Sequence, residues 1–150
     1  MENAPDFTIQ EFVSKEAFTI FGEQSTRLIH PQISVLAQKA RDFFNKRVII
    51  NNWYWGGSEN WSGLRTPDSP YYKPYSPHSR GMAIDIKVDG LQSLDVQQAI
   101  RETYRYMWIQ HGLGLMEWGT EGWTHLSIEN FGVEGLMIYD VNKKTLKEDI

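Results

Sequence analysis

The sequence predicts one α+β domain, a small antiparallel sheet with flanking helices. Three observations carry that expectation. Stretches of helical apolar spacing alternate with short strand-like runs, 150 residues suit a single domain, and no repeat or linker divides residues 1–150. Hydrophobic residues at 41% and charged residues at 23% are the composition of a folded globular chain.

The elements follow in order. Thr8 and Glu11 have capping-box spacing and mark a short helix within 7–13. His30-Pro31 opens a longer one, and Ile33, Leu36, Ala37, Ala40 and Phe44 give it a buried face through about Lys46. Residues 48–50 are β-branched and read as a short buried strand. Residues 51–79 are rich in Trp, Tyr, Gly, Pro, Ser and Asn without periodicity, and a loop that long is usually functional. Its Trp53, Trp55, Trp61, Tyr71, Tyr72 and Tyr75 either wall a peptide groove or pack the loop on itself.

Residues 81–88 alternate strictly. Met82, Ile84, Ile86 and Val88 fall on one face, with Gly81, Ala83, Asp85 and Lys87 on the other. Asp89-Gly90 signals a turn, and Ser93 is placed to cap a third helix. That helix would carry Val96, Ile100, Tyr104, Met107 and Trp108 inward and stop at Gly112. Residues 115–118 and 123–128 read as two strands of a hairpin around 119–122. The charged tail from Lys143 is expected to fray.

Composition narrows the function classes. A net charge of −4 with no basic stripe argues against nucleic acid as a partner. No apolar run approaches the roughly 18 residues of a bilayer span, so no membrane insertion is expected. Residues 1–6 lack the basic and apolar regions of a secretory signal, which predicts synthesis in the cytoplasm. With no cysteine, disulfides, thiolate zinc sites and thiol catalysis are excluded, and any transition metal must be held by His and carboxylate.

Strand parity singles out candidates for that role. Asp85 lies opposite the apolar face of its strand, and His125 lies with Trp123 and Ser127 opposite Leu126 and Ile128. Both would project from the same side of the sheet, which Gly81 and Ala83 are expected to keep open. Two histidines and one carboxylate, with a fourth position left for water, is a catalytic zinc arrangement. An ordinary His–Asp hydrogen bond is the plain alternative. His30, before a helix-opening proline, and His111, in a last helical turn, need no such role.

The pattern Ser76-x-His78-x-x-Gly81-x-Ala83-x-Asp85, followed by Trp123-x-His125, resembles the D-Ala-D-Ala carboxypeptidase and hedgehog-type zinc peptidases. Residues 61–67, with Gly63 and Arg65, are similar to that family's glycine-arginine element, and the likeness runs from about Phe7 to Ser127. It is greatest to small phage and bacterial members that cut peptides of peptidoglycan. The resemblance implies a hedgehog/DD-peptidase-like fold and Zn2+ on His78, Asp85 and His125. It implies that Arg65 binds a substrate carboxylate or carbonyl. Ser76 would then hydrogen-bond near the site, or serve only as a turn residue before Pro77. Trp123 and Tyr75 are the further substrate-binding candidates. The implied partner is a peptidoglycan peptide, reached at the cell wall by virion-associated or holin-dependent delivery.

The general base is Glu117 or Glu121. A five-residue loop over 118–122 would pair Glu117 with Trp123 and set it on the face of His125, whereas Glu121 sits at the loop tip. Two rival functions stand beside the peptidase. One is a non-catalytic virion or binding protein that retains the fold, and the other is a small-dipeptide hydrolase with a closed pocket.

Overall fold

The computed structural model describes residues 1–149. Its elements are helix α1 (Lys15–Phe21), helix α2 (Pro31–Phe44), strand β1 (Val48–Ile49), strand β2 (Ala83–Val88), helix α3 (Ser93–Thr103), strand β3 (Leu115–Trp118), strand β4 (Thr124–Ser127), strand β5 (Leu136–Asp140) and strand β6 (Thr145–Asp149). The six strands form one sheet in the order β1-β2-β4-β3-β5-β6. The α+β expectation is met, but the sheet is mixed, because β3 and β5 run parallel.

The capping box forms as expected, although the helix it opens is a single 3-10 turn, Ile9–Glu11. α1 follows at once, with Ser14 Oγ accepting from the Ala17 amide at 3.0 Å. α2 starts at Pro31 behind the His30 ring, which accepts from the Gln32 amide at 3.1 Å. It ends in a left-handed Asn45 (φ 49°). The third helix departs from expectation at its start and midway, but its helical path stops at a left-handed Gly112 (φ 96°) as expected, after a 3-10 turn Ile109–His111. Gln92 holds the N-cap position, while the Ser93 hydroxyl donates to the Thr120 carbonyl and so ties the β3–β4 loop to α3. Past Thr103 the helix widens into a π turn, Tyr104–Trp108. Thr103 Oγ1 bonds back to the Ala99 carbonyl at 2.7 Å and accepts from the Trp108 indole at 2.9 Å. That exchange seats Trp108 fully inside the core.

The core lies on one face of the sheet. Ile84 on β2, Leu126 on β4, Met116 on β3 and Ile138 on β5 form an in-register apolar row. Ile33, Leu36, Ala37 and Ala40 of α2 and Val96 and Ile100 of α3 are buried in the same cluster. The opposite face carries Asp85 and His125, as strand parity predicts.

Two further expectations fail, one at the C-terminus and one beside the site. Residues 145–149 do not fray: they form edge strand β6, which pairs with β5 over five positions. The tail is held by backbone hydrogen bonds and by Arg101 Nη2 donating to Asp149 at 2.8 Å, so its charge reflects the solvated edge of a sheet. Gly81 does not hold the site face open either. A Cβ there would lie 2.4 Å from the Leu28 carbonyl oxygen, and its φ of 68° is left-handed. The missing side chain lets the 28–29 backbone pass.

Candidate metal centre

Asp85 and His125 are direct cross-strand partners on β2 and β4, so one row of the sheet sets both side chains on one face. His78 arrives from outside the sheet, on the 3-10 turn Pro77–Arg80. Ser76 starts that turn, its Oγ accepting from the His78 amide at 3.2 Å, and Gly81 ends it. Residues 62–65 lace the turn to the strand. The Asp85 amide donates to the Ser62 carbonyl at 2.7 Å, and the Arg65 amide donates to the His78 carbonyl at 3.1 Å. A side chain at Gly63 would meet the Phe12 carbonyl oxygen at 2.2 Å, which is why this irregular segment has glycine there.

The three donors converge. Asp85 Oδ1 stands 2.9 Å from His125 Nδ1 and 3.2 Å from His78 Nε2, and the two ring nitrogens are 3.2 Å apart. All three residues are buried, at 3% exposure for His78, 9% for Asp85 and 7% for His125. His78 Nδ1 faces the Gly63 carbonyl at 2.8 Å. A carbonyl only accepts, so Nδ1 carries the proton and a neutral His78 turns the bare lone pair of Nε2 inward. With both imidazoles neutral, three lone-pair atoms then share one proton, that of His125. A tetrahedral ion bonded at about 2.0–2.1 Å sets its ligand atoms about 3.3–3.4 Å apart, close to the separations found here. His78, Asp85 and His125 therefore form a buried group that can bind a metal ion.

In the metal-free site the same residues form a charge-coupled, hydrogen-bonded cluster. Burial alone would raise the Asp85 pKa, yet hydrogen bonds and charge interactions with His125 and His78 outweigh it and hold the carboxyl far below the usual range. Burial alone would lower the His125 pKa, but the hydrogen bond and charge of Asp85, with a further contribution from Glu117, raise it above 6.5.

The donors line a cleft of about 560 Å3. It is open, with Tyr71 61% and Trp123 43% exposed along it. Arg65 also lines it. Its Nη2 donates to the outer oxygen of Asp85 at 3.1 Å, its Nε donates to the Trp61 carbonyl at 2.8 Å, and the guanidinium lies 5.7 Å from the Tyr71 ring centroid. Arg65 is thus no isolated surface charge.

Glu117 reaches the cleft and Glu121 does not. The β3–β4 register pairs Leu115 with Ser127 and Met116 with Leu126, which continues to set Glu117 opposite His125. The loop has five residues, 119–123, rather than the expected 118–122, so the partner of Glu117 is His125 and not Trp123. Its face is nevertheless the predicted one, since an odd loop length preserves parity. Glu121 is exposed in that loop.

The substrate-side candidates divide. Ser76 and Trp123 line the cleft, whereas Tyr75 is 91% exposed and lies outside it. Tyr71 and Tyr72 take the position expected of Tyr75. In the loop before them, Trp53 packs on Phe18 and donates to the Val13 carbonyl, so that part of the loop folds on the domain. Tyr139 and Leu146 also line the cleft and were missed, because the strands that carry them were not read from the sequence. Among the described residues, no helix is long and apolar enough to cross a membrane. No protein-family model, curated protein or solved structure matches the chain.

Proposed function

We propose that this chain is a zinc-dependent peptidase acting on peptide bonds of bacterial peptidoglycan, in stem peptides or cross-links. One observation supports the reading most. A buried His–Asp–His donor set lies in an open cleft between a carboxylate, Glu117 on β3, and a guanidinium, Arg65, at the outer edge of β2. The sequence pattern around His78, Asp85 and His125 supplies the substrate class.

Bound zinc would polarise the scissile carbonyl and bring the pKa of a water towards about 7. The chain's own residues do the rest. His78 is oriented by the Gly63 carbonyl, and Asp85 by Arg65 and the cross-strand pairing. Glu117, with Thr120 Oγ1 donating to its Oε2 at 3.3 Å, takes the proton of the attacking water and hands it to the leaving amine. Arg65 has two of its three nitrogens engaged, so the N–H groups of Nη1 remain for a substrate carboxylate or carbonyl. In this reading the protein acts at the cell wall, delivered with a virion or through holin pores.

The test is mass spectrometry of products from purified peptidoglycan, with the zinc-loaded protein and with a chelated control. New amino and carboxyl termini that need zinc support the peptidase. Stoichiometric zinc with no fragment released would favour a binding protein.

A further inference from the structure

Beyond the donor set, the sheet carries a single transverse row into regions that no role above explains. Asp85 on β2 faces His125 on β4, and the register continues to Glu117 on β3. Glu117 is level with Tyr139 on β5, and Tyr139 faces Leu146 on β6. Directly opposed residues share a face, and all five line the same cleft. The Tyr139 phenol makes no hydrogen bond among the described residues, and Leu146 is 47% exposed on the edge strand.

The row has a length and a polarity. Strands lie about 4.8 Å apart, so from Glu117 to Leu146 the floor extends roughly 10 Å, the reach of about three residues of extended peptide. At the β2 end of the row stands Arg65, held against Asp85, and Lys73 also lines the cleft. A cleft with the Arg65 guanidinium at one end, and a phenol and an aliphatic side chain at the other, matches a peptide with its free carboxylate near Arg65 and its body along the row.

We propose that the cleft takes an extended peptide lying across the strands, with Tyr139 and Leu146 as specificity-determining residues for the part beyond Glu117. This rests on the peptidase reading and deepens it, since it makes the substrate a peptide of at least about four residues and not a dipeptide. Tyr139 offers a hydroxyl to a backbone or side-chain polar group, and Leu146 covers an apolar one.

The experiment titrates the zinc-loaded chain with synthetic stem peptides of two to five residues that end in a free carboxylate. Glu117→Gln is the background, so that nothing is consumed, and Trp123 fluorescence reports binding. Affinity is expected to rise at least tenfold from the dipeptide to the pentapeptide. Tyr139→Phe and Leu146→Asn should each weaken the pentapeptide three- to tenfold and leave the dipeptide unchanged, with zinc content and melting temperature kept. In the background with Glu117 intact, the same substitutions should raise KM for long peptides and leave kcat unaltered. Length-independent binding, or variants that bind the pentapeptide as tightly as the parent, overturns the inference. Length-dependent binding without cleavage by the wild type overturns the peptidase reading alone.

Discussion

At the scale of single residues, the donor set rests on atoms outside it. The proton on His78 Nδ1 is assigned by the Gly63 carbonyl, and the outer oxygen of Asp85 is held by Arg65. Such supporting contacts are typically worth 10- to 100-fold in metal affinity. On the zinc reading, His125→Ala should therefore abolish the stoichiometric zinc that elemental analysis is expected to find in the wild type. Arg65→Ala should weaken zinc about tenfold as well as depress turnover, because it removes a support of Asp85 along with a substrate contact. Arg65→Lys should restore little, since a point charge does not reproduce the guanidinium fork. The two glutamates separate cleanly. Glu117→Gln should lower turnover roughly 10²–10⁴-fold with zinc still bound, while Glu121→Gln, exposed in its loop, should leave turnover unaltered. Equal rates for Glu117→Gln and wild type would remove the base from the mechanism.

At the scale of elements, the site depends on a segment with no regular secondary structure. Residues 62–65 hydrogen-bond to β2, to the His78 turn and to Phe12, and Gly63 lies where a side chain would meet the Phe12 carbonyl. Gly63→Ala would place a methyl against the Phe12 carbonyl, so one backbone must move and the carbonyl that orients His78 moves with it. The expected outcome is a lower melting temperature together with weaker zinc binding; a variant with unchanged zinc affinity would show that this carbonyl does not hold the ring. The β5–β6 hairpin is the second such element. Leu136 to Tyr139 form an unbroken apolar run and residues 143–149 are mostly polar or charged, so neither shows the alternation of a half-buried strand. β6 is charged because it is an edge.

For the molecule as a whole, metal binding and folding are coupled through protons. Without metal, the lowered pKa of Asp85 contributes stability above its unfolded value of about 4, lost as pH falls through the folded value. The raised pKa of His125 contributes below its unfolded value of about 6.5, lost as pH rises through the folded value. The metal-free site thus stabilises the fold most between about pH 4 and 6.5. On the proposed reading zinc would have the opposite dependence, because it would need His125 without its proton. The melting-temperature gap between zinc-loaded and chelated protein should widen from pH 6 to pH 8. At free zinc of 100 times Kd it corresponds to about 2.7 kcal/mol. A gap that narrows over that range would mean that His125 is not a ligand.

Local pattern determined the α+β class, the start of α2 at Pro31, the parity of β2 and the shared face of Asp85 and His125, while His78 joined them through the resemblance of the Ser76–Asp85 pattern. Each of these is written within one short segment, because periodicity records which side of a segment is buried. Parity also put Glu117 on the correct face, though with a loop shifted by one residue. Only the tertiary structure decided the order of the strands, the parallel seating of β5 beside β3 and the extension of the cleft to Tyr139 and Leu146. It also decided that Tyr75 points away while Tyr71 lies against Arg65, and that Gly81 and Gly63 make room for backbone. Those are contacts between segments distant in the chain. A residue's spacing from its neighbours records burial, but not which distant strand or carbonyl covers it.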